Sequence, residues 1–364
     1  MSVVLPILDS GPQRPAFARG PRSLDAVKLL RLSLTDRCNL RCVYCMPDDG
    51  VSFYDHHDLL SADDIVSVAA AARGVGVTHF KLTGGEPTLR KDLLPIVERL
   101  AALSPADLSM TTNGIRLGQH GGRLAHQLRD AGLDRLTISL DSLDPDTFAR
   151  LTGRRGFTLD QAWAGIDAAV AAGFEALKLN VVVVGGINDH EVADFAALTH
   201  DRPWTVRFIE YMPLGDSALT DHAAGAETFT VDNQEIIRRI EAVHGSLLPV
   251  ERDAEPGVGP AVVFRTGASA GRRQPGAAGG GGGRLGFISA MSRPFCETCN
   301  RLRLTARGEL RACLFDGGEV DLLPTLRAER VDPGALRDLM ARCVAEKPET
   351  HSPRGNRAMS QLGG

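Results

Sequence analysis

Strand-like and helix-like segments alternate through the first 212 residues, and this alternation restricts the fold more than any other feature of the chain. The strand-like runs are Leu29–Thr35, Thr78–Thr83, Asp107–Thr112, Asp134–Asp141, Ala176–Val184 and Thr205–Met212. Helical periodicity falls between them, at Ala62–Arg73, Lys91–Leu103, Arg123–Ala131, Leu159–Ala172 and His190–Thr199. Serial βα units require parallel strands joined by right-handed crossovers. Six units are fewer than the eight of a closed barrel. The pattern therefore predicts an α/β fold built on a partial, incomplete TIM-type barrel, although a doubly wound sheet shows the same alternation.

The alternation inside each strand favours the barrel. Residues two apart in a strand share a face. Arg31, Ser33 and Thr35 share one, as do Lys81 with Thr83, Thr137 with Ser139 and Asp141, and Lys178 with Asn180; Arg207 lies on another. Leu32, Leu34, Leu82, Ile138, Leu140, Leu177 and Leu179 sit between them. Each strand is thus apolar where helices would cover it and polar on the other side. A lumen filled by packing would carry Val, Ile and Leu on both faces. Buried Arg and Lys need anionic partners, so the lumen is expected to hold an anion.

The remaining sequence divides by composition. Residues 1–26 read as a loose N-terminal extension, 27–235 as the barrel domain, 236–350 as a smaller C-terminal domain and 351–364 as an unstructured tail ending in Gly-Gly. The Gly-rich stretch 266–284 reads as a flexible loop. No apolar run approaches the length of a membrane span, and the N-terminus lacks the basic-then-apolar pattern of a secretory signal. A net charge of −4 gives no footprint of nucleic-acid binding.

Six of the seven cysteines fall in two groups of three, Cys38, Cys42, Cys45 and Cys296, Cys299, Cys313. Such short spacings point to metal ligation in a reducing compartment rather than to disulfides. The first group has the spacing Cys-x3-Cys-x2-Cys and follows the first strand, on a loop at its carboxyl end, where barrel enzymes place chemistry. Three thiolates leave one iron of a four-iron cluster without a protein ligand, which marks a reactive site. A structural zinc site, with His56 or His57 as fourth ligand, is the alternative. The second group has the spacing Cys-x2-Cys-x13-Cys and again lacks a fourth ligand. A zinc ribbon closed by Cys343 is the alternative there, but Cys343 lies in the helical stretch Asp332–Ala345 and reads as a core thiol.

The segment Thr35-Asp36-Arg37-Cys38-Asn39-Leu40-Arg41-Cys42-Val43-Tyr44-Cys45, with Thr83-Gly84-Gly85-Glu86-Pro87 after the second strand, resembles the radical S-adenosylmethionine (SAM) superfamily. That resemblance implies SAM on the open iron of the first cluster. It also implies SAM contacts from Tyr44, Gly84, Gly85, Glu86, Thr112 with Asn113 and Gly114, Ser139 and Met212. The segment Phe295–Phe315 and the terminal Gly363-Gly364 closely resemble the GTP 3′,8-cyclases that begin molybdenum cofactor synthesis. The likeness runs from about Leu30 to Gly364. It implies two [4Fe–4S] clusters facing one chamber, with GTP between them and its guanine on the second cluster. Arg31, Lys81, Lys178, Arg207, Arg301 and Arg303 map onto the family's triphosphate-binding positions. Arg is suited to bidentate phosphate binding, which agrees with the polar-face reading.

The implied reaction removes hydrogen from C3′ of the ribose through a deoxyadenosyl radical, joins C3′ to C8 and yields a cyclised dihydroguanosine triphosphate. The resemblance further implies that Gly363 and Gly364 enter the chamber and are needed for turnover. The implied partners are cyclic pyranopterin monophosphate synthase downstream and a reductant such as flavodoxin or ferredoxin. No nucleic acid and no membrane are expected; a homodimer is allowed, and the setting is cytoplasmic. The chain departs from the family where members often carry Lys and Arg before the Thr-Gly-Gly segment. Here His79 and Lys81 stand there, and Lys81 keeps the charge. A peptide-modifying radical SAM enzyme with an auxiliary cluster and a non-catalytic zinc-binding protein are the competing readings.

Overall fold

In the computed structural model the described residues are 22–47, 51–153, 156–220, 225–251, 257–267, 283–315 and 319–363. Most of the extension 1–26, nearly all of the Gly-rich stretch 266–284 and Gly364 lie outside them.

Strands β1 (Leu29–Ser33), β2 (His79–Thr83), β3 (Asp107–Thr112), β4 (Arg135–Ser139), β5 (Lys178–Val183) and β6 (Thr205–Glu210) pair in parallel in sequence order. The crossovers are α1 (Ala62–Gly74), α2 (Leu93–Ala101), α3 (Arg123–Asp130), α4 (Pro145–Leu151) with α5 (Leu159–Ala171), and α6 (Val192–Ala197). The sequence pattern does not reveal α4, whose short run opens with Pro145 behind the N-cap Asp144. Helix α1 begins at a capping box in which Ser61 and Asp64 satisfy each other's backbone N–H groups. Thr158 and Gln161 do the same for α5.

Beyond Met212 the sequence pattern is irregular, yet this part forms α7 (Asn233–His244) and six further strands. These are β7 (Leu247–Pro249), β8 (Val262–Thr266), β9 (Arg284–Ile288), β10 (Arg301–Leu304), β11 (Glu309–Arg311) and β12 (Val320–Asp321). They join both edges of the barrel sheet. β10 pairs in parallel with β1, and β9 in parallel with β6. The order is β12-β11-β10-β1-β2-β3-β4-β5-β6-β9-β8-β7, an open sheet with eight parallel strands at its centre and antiparallel strands at its ends. This is the partial barrel expected, extended by C-terminal strands.

One face of every central strand is apolar. Leu30, Leu32, Phe80, Leu82, Leu108, Met110, Leu136, Ile138, Leu179 and Phe208 are buried under the helices. Each such side chain contributes about 2 kcal/mol of burial free energy. The helix Pro333–Ala345 packs on α1, and its Cys343 is a core thiol, wholly buried with its Sγ 3.4 Å from the Leu310 carbonyl. Burial pushes that thiol up to about 12.

The last stretch corrects an expectation. Residues 351–363 are not an unstructured tail: Leu214 bridges Gly355, a helical turn spans Met359–Leu362, and Ala358, Ser360 and Leu362 are buried. Partners remote in sequence, invisible to local composition, order them.

Candidate functional site

The first cysteine loop leaves β1 at its carboxyl end and is held from below by the loop that follows β2. Gly85 N–H donates to the Thr35 carbonyl at 2.7 Å, and Glu86 N–H to the Arg37 carbonyl at 2.8 Å. A Cβ on Gly85 would stand 2.4 Å from the Arg37 oxygen and 2.5 Å from the Asp36 oxygen, both backbone atoms. Glycine is required there because the cysteine loop itself comes close, a different cause from the ligand approach that the sequence suggests. Gly85→Ala is expected to lift the cysteine loop and lower stability by about 1–3 kcal/mol. Thermal unfolding and iron analysis would check it, with iron lost from the first group and retained by the second.

Glu86 is buried, and its carboxylate accepts from Thr88 N, Thr88 Oγ1, Thr112 Oγ1 and Asn113 N at 2.6–3.0 Å. It therefore clamps the β2 and β3 loops together. Burial raises its pKa despite these donors. Asn113 Nδ2 continues the chain of contacts to Asn39 Oδ1 at 2.8 Å, inside the cysteine loop. On the far side, Tyr44 donates to Asp141 Oδ2 at 2.6 Å, and Val182 N–H donates to Asp141 Oδ1 at 2.8 Å. Burial pushes Asp141 up to about 6. In the sequence Asp141 is legible only as a polar-face residue, yet it fixes the aromatic side chain between two of the cysteines.

The second group is built on the turn Cys296–Thr298, the start of β10 and the residues after β11. Lys347 donates to the Cys299 carbonyl at 2.9 Å, and the Arg301 guanidinium lies 4.9 Å from the Phe295 ring centroid. Burial would raise Cys299, but Arg301 and Lys347 outweigh it and bring the thiol to about 7. In the first group burial dominates: Cys38 rises to about 11 and Cys45 to about 12. His351 stacks on Phe315 at 3.9 Å beside this group, a contact of which the sequence gives no sign.

The donor geometry separates a cluster from zinc. Among the described residues only Asp55, His57 and Asp58, all exposed, bring three ligand atoms within 4.8 Å of one another. A tetrahedral zinc bound at 2.3 Å by each thiolate holds its sulfurs about 3.8 Å apart. Neither cysteine triad brings all three of its sulfurs within 4.8 Å of one another, although, after burial, Cys38 and Cys45 lie near enough to raise Cys42, and Cys299 and Cys313 near enough to raise Cys296. A wider triad suits a cluster in which each thiolate takes a different iron. The residues present fit two such clusters.

All six cysteines line one cavity of about 260 Å³. Tyr44, Gly84, Gly85, Glu86, Thr112, Asn113, Ser139 and Met212 line it too; of the residues expected to meet SAM, only Gly114 is not among its lining. Arg31, Arg301 and Arg303 complete its wall. A second cavity of about 130 Å³ lies deeper in the lumen and carries Lys81, Lys178 and Arg207 with His79 and Arg135. Arg31 and Arg301 border both. Sheet register explains the convergence: Arg303 pairs with Arg31, Arg31 with Lys81, Lys81 with Ser109 and Ser109 with Arg135. Lys81 Nζ and Arg207 Nη2 both reach Thr137 Oγ1, at 3.0 and 3.3 Å.

Crowding of cations makes this lumen favourable to an anion. Burial, then Arg303, Arg301 and Arg207, holds Arg31 well below the usual guanidinium range. Burial, then Arg207 and Arg31, does the same to Lys81, and Arg303 is brought to about 9 by burial and Arg301. A polyanion would relieve all of these at once. The tail approaches from the other side: Arg303 Nη1 donates to the Gly363 carbonyl at 3.2 Å, and Met359 and Ser360 line the larger cavity.

Two family models divide the chain between them. The model of the Radical SAM superfamily matches residues 32–199, and that of Molybdenum Cofactor Synthesis C matches residues 204–353. The GTP 3′,8-cyclase of Moorella thermoacetica is 43% identical over 344 residues, 93% of this chain and 98% of that protein. The GTP 3′,8-cyclase of Geobacter sulfurreducens is 44% identical over 345 residues, 93% of this chain and 97% of that protein. Among solved structures, Streptococcus suis SuiB bound to S-adenosylmethionine superposes with a TM-score of 0.51 at 15% identity. The superposition covers 85% of this chain and 68% of that one, and shows likeness of fold.

Proposed function

Because the chain belongs to the GTP 3′,8-cyclase family, we propose that it converts GTP to (8S)-3′,8-cyclo-7,8-dihydroguanosine 5′-triphosphate, the first step of molybdenum cofactor synthesis. The observation that carries this reading is the single cavity lined by both cysteine triads and bordered by buried cations. Cys38, Cys42 and Cys45 would hold one [4Fe–4S] cluster and Cys296, Cys299 and Cys313 the other. Bound SAM and the clusters supply the one-electron chemistry that removes hydrogen from the ribose.

The chain's own work is binding, orientation and exclusion of water. Tyr44, Gly84, Gly85, Glu86, Thr112, Ser139 and Met212 shape the SAM end of the chamber. Glu86 contributes by clamping two loops, and Tyr44 is set by Asp141. Arg31, Lys81, Lys178 and Arg207, with Arg301 and Arg303, take the triphosphate. The deeper cavity then receives the phosphates, and the nucleoside lies between the triads. Gly363 sits at the chamber beside Arg303, and Gly363 and Gly364 are needed for turnover. Residues 27–235 act as the SAM-binding unit and supply four of the six cations for the triphosphate, and 236–350 carry the second cluster and add Arg301 and Arg303. Cyclic pyranopterin monophosphate synthase would consume the product, and a flavodoxin or ferredoxin would reduce the clusters. A cytoplasmic setting suits oxygen-sensitive thiolate sites, and among the described residues no helix is long and apolar enough to cross a membrane. A homodimer is compatible with this reading.

The deciding test is anaerobic reconstitution followed by reduction with SAM and GTP present. GTP-dependent formation of 5′-deoxyadenosine together with a cyclised nucleotide is the expected result. SAM cleavage without any cyclised nucleotide would remove the substrate assignment and leave the SAM assignment standing.

His79 gives the site a pH dependence. Its imidazole lines the deeper cavity and is held below its ordinary value by burial, with Asp107 opposing and Arg135 assisting. An anion bound beside it favours the charged form, so binding takes up a proton. GTP affinity is therefore expected to rise as pH falls from about 8 to about 6, by up to about tenfold per unit of pKa change on binding. Equilibrium dialysis across this range would check it. His79→Gln should show a shallower slope than the wild-type protein, and His79→Lys should bind tightly at both ends.

A further inference from the structure

The C-terminal strap touches both cysteine groups, and a compact set of charges stands where it enters the chamber. His351 Nε2 meets the Ala290 carbonyl at 2.8 Å, and the His351 amide points at Cys296. Gly355 then makes two backbone hydrogen bonds with the loop after β6, to Pro213 and from Gly215, at 2.9 and 3.0 Å. From Ala358 the strap is buried except for the half-buried Met359 and Gln361, and the Ser360 amide points at Cys45. Between these two stretches lie Asn356 and Arg357. Arg357 pairs with Glu309 of β11 and, at 3.2 Å, with Glu319. Arg311, wholly buried at the end of β11, pairs with Glu319 and donates to Asn356 Oδ1 at 3.0 Å. Asn356 N–H donates to the Phe315 carbonyl at 3.2 Å.

We propose that Arg357 and Asn356, gripped by Glu309, Glu319 and Arg311 of the β11–β12 hairpin, form a latch that holds the strap across the chamber. The three gripping residues come from one hairpin, and the two gripped residues are adjacent in the strap. The set is balanced at two arginines and two glutamates. Removing Arg357 takes the cation from Glu309 and leaves Glu319 to Arg311, and removing Glu319 takes the charge partner from the buried Arg311. Arg357 is thus a positioning residue, distant in sequence from each of the six clustered cysteines. The latch rests on the reading that the strap acts in the chamber only for its effect on turnover, and its effect on docking stands apart from that reading.

Hydrogen–deuterium exchange of the anaerobically reconstituted full chain tests it. In Arg357→Ala the amides of residues 358–363 should exchange faster by about tenfold or more, with iron content unchanged. The double variant Arg357→Glu with Glu309→Arg should recover protection in part. Should Arg357→Ala fail to yield soluble protein, Glu319→Gln gives the same readout. Unchanged exchange over 358–363 in these variants would overturn the latch. Faster exchange with a fall in kcat and an unchanged GTP dissociation constant is the full expected result. Faster exchange with wild-type kcat would support the latch and instead overturn the strap's role in turnover.

Discussion

Cys42→Ser should lower the iron of the reconstituted protein from about eight to about four atoms per chain and abolish SAM cleavage. Cys299→Ser should also lose about four irons, yet keep cleavage of SAM that is no longer coupled to GTP. The two outcomes differ because the triads hang on different parts of the sheet. Cys38, Cys42 and Cys45 follow β1 and are braced by the loops after β2 and β3 through Gly85, Glu86 and Asn113. Cys296 and Cys299 precede β10, Cys313 follows β11, and Lys347 braces that end. Apart from the C-terminal strap, whose His351 and Ser360 amides reach Cys296 and Cys45, these braces belong to one triad or the other. Each thiolate is one of only three protein ligands to its cluster, and serine is a poor substitute for a soft thiolate donor. Iron and sulfide analysis, electron paramagnetic resonance of the reduced protein, and assay of 5′-deoxyadenosine would read both variants. A Cys299→Ser protein that held about eight irons and still cyclised GTP would remove the second cluster from the account.

The legible part of this protein is what local pattern can carry. Polar and apolar residues alternate along the strands, and that alternation alone puts Arg31, Lys81, Lys178 and Arg207 on the lumen face. The cysteine spacings are local too. Pairing between remote segments is not legible. β10 lies beside β1, with Leu29 opposite Arg301, and only that register brings Arg301 and Arg303 to the lumen. The alternation of 301 and 303 shows that they share a face, but nothing local says which face of which sheet. The strap misleads for the same reason. Its Gly, Ser and Arg residues are those of a loose terminus, and its order comes from Glu309, Glu319 and the Met212–Gly215 loop. Asp141 is visible on the polar face, but its bond to Tyr44 joins residues 97 apart in sequence. The glycines at 84 and 85 signal a close approach without saying of what, since such an approach shows in sequence only as the absence of a side chain.

Gly363→Ala should cut turnover by roughly 30- to 5,000-fold while leaving both clusters and SAM affinity intact. Two separate conflicts lead to that range. Gly363 has φ +73° and ψ 66°, the left-handed region, which costs an alanine about 1–2 kcal/mol. An added Cβ would also stand 2.6 Å from Ser33 Cβ and 2.9 Å from Thr83 Oγ1. Ser33 and Thr83 are paired residues at the ends of β1 and β2, both buried, and Ser33 Cβ cannot swing away as a flexible side-chain tip can. Forcing a methyl into such a gap costs about 1–3 kcal/mol more. The strap end would then leave its place, and the Gly363 carbonyl would release Arg303. Since Arg303 also borders the cavity with both triads, the loss should appear in kcat rather than in iron content. Adding Ser33→Gly to Gly363→Ala removes the nearest obstruction but not the backbone cost, so it should restore part of the rate. Wild-type turnover in Gly363→Ala would mean that the strap does not dock at Ser33 and Thr83 while the enzyme works.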